Sequence, residues 1–374
     1  MTRQAIIQNI ESCICDIPLI RPHVMSFGSP DSVSFNLVRI ETQEGLVGWG
    51  EVSTFQGPTW SEETSETIKI IIDRYIAPDV IGHDALMYRP LLSKVSSHVQ
   101  GNHFAKAAVE MALFDVAGRF LNQPVSTLLG GRYRERIPLS WSLASGSLTE
   151  DLDEARHKIS EGYTILKLKA GGRSLHEDLL RLQTIRQELG PEIRLRVDVN
   201  QGWDYPTALQ ALQTMEKLSI ELIEQPLPKQ QIHKSAQLRK SSSIPLMADE
   251  CLTGVHSALD IIAEDAFDIF SFKLSKLGGI AGAKDVYTIS QAAQIAAYIG
   301  CMIETSLGTA AYLHFGASLP SLTYGCELWG PLLLEDDIVF EPVRYAGGRV
   351  EVPAGEGLGV MVDEEKVRKY LRDS

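Results

Sequence analysis

Short apolar runs that alternate with helical stretches, repeated over the last two thirds of the chain, constrain this fold more than any other feature. The runs are IPLSWSLAS (137–145), ILKLKAG (165–171), RLRVDVN (194–200), IELIEQPL (220–227), IPLMADE (244–250), FDIFSFKLSK (267–276), CMIETS (301–306) and TYGCELWG (323–330). Between them lie stretches such as HEDLLRLQTIRQELG and YPTALQALQTMEKL, whose apolar residues recur at helical spacing. Repeated strand–helix units of this length imply parallel strands joined by right-handed crossovers. Eight such units suggest a (β/α)₈ TIM-like barrel, which typically needs about 250 residues. The open doubly wound sheet usually carries a Gly-rich phosphate turn after its first strand, and none is present.

The first 130 residues have a different texture. SFNLVRIETQEGLVGWGEV (34–52) predicts two strands joined at QEG, and helical stretches follow at about 60–77, 85–98 and 103–121. LLGGRYRERIP (128–138) carries the Gly-Gly and Pro of a junction. The expected organisation is an α+β capping domain over 1–130 and a barrel over 131–339. The segment 340–374, containing RYAGGRVEVPAGEGLGV, is expected to return to the first domain.

Charge narrows the function. With 35 Lys and Arg against 48 Asp and Glu, the net charge is −13. Such a surface repels phosphate backbones, which argues against nucleic-acid and anionic-membrane partners while leaving a small anionic substrate open. No apolar run is long enough to span a bilayer. Cys13, Cys15, Cys251, Cys301 and Cys326 are scattered without a CxxC pair, as expected of free thiols in a reducing cytoplasm. No GxSxG or HExxH motif is present, so a conventional hydrolytic triad or a zincin site is not indicated.

The chemistry sits where the runs end, because the C-terminal ends of barrel strands face the active site. The second run ends Lys167-x-Lys169, the third Asp198-x-Asn200, the fourth at Glu224, and the fifth Asp249-Glu250. The sixth carries Lys273 and Lys276, the seventh Glu304 and the eighth Glu327. Asp198, Glu224 and Asp249 lie one unit apart on three consecutive strands, so they converge. Three carboxylates meeting in a pocket are unfavourable unless a cation sits among them, and hard oxygen ligands suit Mg²⁺ or Mn²⁺. Lys169 and Lys273 come from opposite sides of the barrel and would flank a substrate. A lysine near a divalent cation and a second ammonium loses proton affinity and can act as a base. The implied chemistry is proton transfer at the carbon next to a carboxylate, with the metal stabilising the enolate.

LKLKAG, RVDVNQGW, LIEQPL, MADE and FKLSKLGGI resemble, in order and separation, the motifs of the enolase superfamily and its muconate-lactonizing subgroup. The resemblance runs from DIPLIRPHVMSF (16–27) to GEGLGV (355–360) and includes MIETSLGTAA and YGCELWGPLLLEDDIV. It implies a cycloisomerase acting on cis,cis-muconate or a close analogue. It assigns Asp198, Glu224 and Asp249 to the metal and Lys169 to proton exchange with the α-carbon. Lys273 would balance enolate charge from the other face. Lys167 would sit beside Lys169 and depress its proton affinity, and Glu327 would serve proton transfer. Asn200, Glu250 and Lys276 would orient those groups. Loops at about 20–29 and 53–60 would shape specificity, with Phe55, Trp60, Glu304 and Trp329 as substrate-side residues. A racemase or epimerase of an N-substituted amino acid or proline derivative, or a dehydratase of a hydroxy acid, would use the same enolate. The Asp-x-Asp that dipeptide epimerases carry at strand eight is not found. A non-catalytic metal protein would need the carboxylates without the lysines. Relatives often form octamers, so a homo-oligomer is expected.

Overall fold

Extended structure begins earlier than the sequence reading placed it. Ile7–Pro18 pairs antiparallel with Ser32–Thr42, which pairs with Val47–Thr54 across the turn at Gly45. The computed structural model describes residues 4–372. Helix His103–Leu121 lies on this three-stranded meander and is buried from Phe104 to Gly118, as its nearly continuous apolar sequence requires. The approach is close: a Cβ on Gly50 would stand 2.0 Å from the carbonyl of Ala108. Charges on the buried helix are tied down. Asp115 accepts from the amides of Trp49 (2.9 Å) and Leu358 (2.8 Å), joining the first sheet to the chain's last segment.

Seven parallel strands form the barrel wall in sequence order: Trp141–Leu143, Ile165–Lys169, Arg194–Asp198, Ile220–Glu224, Leu246–Ala248, Ile269–Phe272 and Ala296–Ile299. The strands are almost wholly buried, as expected of a parallel sheet covered by helices. The ring closes through Cys326, bridged in parallel to both Ile299 and Leu139. Ser140 N donates to Cys326 O (2.8 Å) and Glu327 N to Ile299 O (3.0 Å). Helices follow each of the seven strands, from Leu148–Ser160 to Ser306–Ala317. Several begin at side-chain caps, Ser147, Ser174, Asp204 and Thr305, which satisfy otherwise unpaired amides.

The TIM-type barrel with a separate N-terminal sheet is as expected, with three local differences. The first run splits: Arg136–Pro138 leaves the barrel to pair with Arg349–Glu351, and only Trp141–Leu143 joins the wall. The seventh strand is Ala296–Ile299, not 301–306, which forms the mouth loop instead. The eighth unit is reduced to the Cys326 bridge followed by a single turn at Gly330–Leu332, with no helix. The tail packs back along the first strand, where Leu371 bridges Cys15 and Arg372 meets Asp16 at 2.7 Å. Among the described residues, no helix is long and apolar enough to cross a membrane. All five cysteines are free thiols.

Candidate active site

The strand register sets the site. Lys169 is paired with Asp198 and Asp198 with Glu224 across neighbouring strands, while Met247 opposite Glu224 places Asp249 two residues further on. Lys167 and Lys169, two residues apart, share a face. Lys167 is fully buried. Its ammonium lies 2.7 Å from Glu224 Oε2 and 3.6 Å from Asp198 Oδ2, and pairs with Glu327. Burial works against that charge, but Glu224 and Glu327 outweigh it and hold the ammonium well above the usual lysine range. Lys169 donates to Asp198 Oδ2 (2.5 Å) and Asn200 Oδ1 (3.0 Å).

On the far side, Lys273 donates to Asp249 Oδ2 (2.8 Å), and its ammonium sits 4.4 Å from the centre of the Trp60 ring. Lys276 donates to Asp249 Oδ1 (2.7 Å) and to its carbonyl (2.5 Å). Burial opposes ionisation of Asp249, but these two lysines outweigh it and hold the carboxylate well below its ordinary range. Lys273 is raised in return, since Asp249 and Glu224 overcome its own burial; Lys276 is lowered, because burial prevails there. Asp198 is lowered by Lys169 and Lys167 against its burial. Glu224 goes the other way, pushed up to about 8 by burial and then by Asp198. Glu250, bonded to Asn200 Nδ2 at 3.2 Å, is pushed up to about 7 by burial and the neighbouring Asp249.

Two buried oxygens here, Glu224 Oε1 and Glu250 Oε2, have no hydrogen-bond partner. Orphaned acceptors beside three converging carboxylates fit a hard divalent cation, which oxygen ligands of this kind hold. Among the described residues, no three ligand side chains stand together at coordinating distance as they lie. The oxygens that now accept from Lys169 and Lys273 would have to turn to an ion.

The mouth is closed by residues from far along the chain. His23, Met25, Phe55, Trp60, Lys169, Asn200, Lys273, Cys301, Ile303, Glu327 and Trp329 enclose a cavity of about 20 Å³. Phe55, Trp60 and Trp329 therefore line it. Glu304 does not: its carboxylate accepts from Met302 N (2.9 Å) and Cys301 Sγ (3.2 Å) behind the wall. Ile303 holds φ +60, a conformation costly for a β-branched residue and characteristic of sites where the surroundings impose it. His23, its ring tilted 41° against Trp329 at 5.0 Å, and Met25 carry no motif of their own; only the IRPH run marked their loop. Burial first, then Lys169 and Arg21, hold the imidazole of His23 well below its usual range, so it is neutral. Gln225, in the LIEQPL run, also holds the site. Its Oε1 accepts from Asp249 N (3.0 Å) and Cys251 N (3.3 Å), locking two strand ends together.

A barrel whose strand ends bring three carboxylates between two lysines belongs to the class of enzymes that move protons next to a carboxylate. Comparison with known proteins makes that specific. Residues 9–130 match the mandelate racemase / muconate lactonizing enzyme N-terminal domain, and residues 150–366 match the enolase C-terminal domain-like family. The chain is a member of the mandelate racemase / muconate lactonizing enzyme family. Chloromuconate cycloisomerase of Cupriavidus pinatubonensis is 40% identical over 98% of this chain and 100% of its own length. Muconate cycloisomerase 1-1 of Acinetobacter lwoffii is 39% identical over 98% and 97%. Among solved structures, muconate lactonizing enzyme from Pseudomonas fluorescens complexed with muconolactone superposes with TM-score 0.97, at 37% identity over 99% of this chain and 100% of that one. The 2-chloromuconate cycloisomerase of Rhodococcus opacus 1CP gives 0.96 at 36% identity, over 98% and 100%. Membership implies a divalent metal and a small carboxylate substrate.

Proposed function

We propose that this chain is an isomerase, an intramolecular lyase, that interconverts cis,cis-muconate or a close analogue with muconolactone. The observation that carries it is the pair Lys169 and Lys273 facing one cavity from opposite sides, with Glu327 and Trp329 on its wall, in a chain whose full-length relatives are named for this reaction. Asp198, Glu224 and Asp249 would hold Mg²⁺ or Mn²⁺. When bound, the ion would bind one substrate carboxylate and stabilise negative charge on it.

The other carboxylate adds to the carbon β to the bound one, forming the ring C–O bond. The displaced electron pair moves toward the α-carbon, and a proton from Lys169 Nζ completes the lactone. Asn200 Oδ1 aims that ammonium. Lys273, opposite, offsets the charge that develops. Lys167 holds Glu224 and Glu327 in place, and Glu250, Asn200 and Lys276 orient the acids they touch. Phe55, Trp60 and Trp329 exclude water and set the shape of the substrate. A racemization would use the same two lysines as a two-base pair. The functional unit is a cap of residues 1–130 joined by 340–374 over a barrel of 131–339, assembled as a homo-oligomer in the cytoplasm.

Proton NMR in D₂O tests this, with Mg²⁺ supplied and muconate, N-acyl amino acids, hydroxyprolines and proline betaines as substrates. A singly deuterated lactone from muconate, absent with Lys169→Ala, is expected. Muconate turnover surviving Lys169→Ala removes Lys169 from its role. Exchange at the α-carbon of an amino-acid derivative, with muconate untouched, moves the function to racemization.

A further inference from the structure

The cavity at the catalytic lysines is, at about 20 Å³, too small for a six-carbon diacid. Its volume of about 20 Å³ is near that of a single water. Met25 and Lys169 line it, and the same two residues also line a second, more open cleft of about 220 Å³. Met25 is buried and borders both spaces.

The walls of the outer cleft come from three places. Val24 and Met25 belong to the cap loop, Gly146 follows the first barrel strand, and Ala170, Gly172 and Arg173 follow the second. The loop is anchored on both sides: Val24 N donates to Ala144 O (2.8 Å) and Ser26 Oγ to Asn200 O (2.7 Å). Between those anchors the loop runs against Gly172, where a Cβ would lie 3.4 Å from Met25 O, an ordinary contact.

Charge is the second observation. The protein carries −13, yet a dicarboxylate substrate carries −2 and must reach a site floored by acids. At the cleft's rim stands Arg173, exposed, bonded to the Gly146 carbonyl and, among the described residues, with no carboxylate within 4 Å. Two acids stand nearby: Glu177 accepts from Ser174 N and Oγ, and Asp178 accepts from Gly171 N at 2.8 Å while its Oδ1 lies 3.7 Å from Arg181 Nη1. Arg181, deeper in, is held by Asp151. Arg173 is thus the exposed cation at the mouth of the space that adjoins Lys169.

We propose that Arg173 recruits the dianionic substrate into this cleft, from which displacement of the Met25 side chain admits it to the catalytic lysines. The inference rests on the functional reading above for the charge of the substrate, and the experiment separates the two. Arg173 is a positioning residue: it touches no reacting atom, so it acts on capture and not on chemistry.

The test measures kcat and kcat/KM against NaCl for the wild type, Arg173→Lys, Arg173→Ala and Arg173→Glu. In parallel, binding of the unreactive saturated diacid adipate and of the monoanion hexanoate is followed by tryptophan fluorescence. Reversing one charge about 8 Å from a dianion should lower kcat/KM for Arg173→Glu about tenfold at 10 mM salt and less than about twofold at 1 M, where the screening length shrinks to about 3 Å. Arg173→Ala should fall between, Arg173→Lys should recover most of the loss, and kcat should stay within about twofold throughout. Adipate affinity should follow the same series and hexanoate affinity about half as steeply on a logarithmic scale. A defect equal at low and high salt, a fall in kcat alone, or an unchanged kcat/KM in Arg173→Glu overturns the proposal. Absence of muconate turnover in the wild type, with adipate binding still dependent on Arg173 and salt, would overturn the functional reading and leave this inference standing.

Discussion

Lys167 offers the sharpest test of how the site is held together. Its ammonium lies among Glu224, Glu327 and Asp198 with none of its surface exposed. Lys167→Met keeps the length of the side chain and removes the charge, leaving three acids to face one another. Removing one partner from a buried ion pair costs about 3–5 kcal/mol. With an unfolding entropy near 2.1 cal/mol/K per residue, a chain of 374 residues loses on the order of 5 °C in melting temperature. Scanning calorimetry with EDTA in alkaline buffer reads this directly, because proton uptake by Glu224, which would relieve the loss, is disfavoured as the pH rises. Added Mg²⁺ or Mn²⁺ should raise the variant's melting temperature more than the wild type's, since a cation among the acids replaces part of the missing charge. Turnover should still fall about 10–100-fold, as when groups that orient metal ligands are lost. A variant that melts within about 1 °C of the wild type in EDTA would refute the view that this ammonium neutralises the acid cluster.

Two further outcomes concern stability away from the lysines. Gly50→Ala should destabilise the first sheet by several kcal/mol, as overpacking does, because its Cβ would fall 2.0 Å from Ala108 O; a melting temperature equal to the wild type's would show that the sheet slides freely on the helix. Glu110, buried on that helix, has one oxygen bonded to Ala281 N (3.0 Å) and the other unpaired, and burial pushes it up to about 8. In the window between the usual glutamate value and about 8, the folded chain holds a proton that the unfolded chain has released, so this residue makes stability fall as pH rises, by on the order of 1 kcal/mol per pH unit. Glu110→Gln should therefore stabilise the protein more at pH 8 than at pH 5, and a pH-independent difference in denaturant midpoint would contradict the assignment.

Much of the site was legible because its residues occupy equivalent places in a repeat. Asp198, Glu224 and Asp249 end successive strands, and the observed pairing of Lys169 with Asp198 and Asp198 with Glu224 follows from that phase. The misplacements have local causes. AAYI (296–299) carries two alanines, which favour helix, and burial in the barrel wall overrides that preference. Ile7–Pro18 shows an uneven pattern of buried and exposed residues, so alternation did not announce it. Glu304 resembles a strand-end carboxylate in sequence, yet the chain has already left the strand at Ile299, and its side chain turns behind the mouth.

The linear order of residues by itself determined the barrel, the acids and the lysines. Strand periodicity and the position of a charge at a strand's end are local properties, repeated unit by unit. What closes the mouth was decided only in three dimensions. His23 reaches Trp329, Ser26 reaches Asn200 and Ser53 reaches Met302 across well over a hundred residues, and no local pattern encodes contacts at that separation. The charges at the strand ends are therefore written along the chain, whereas the shape of the cavity they border arises from how the first segment packs on the barrel.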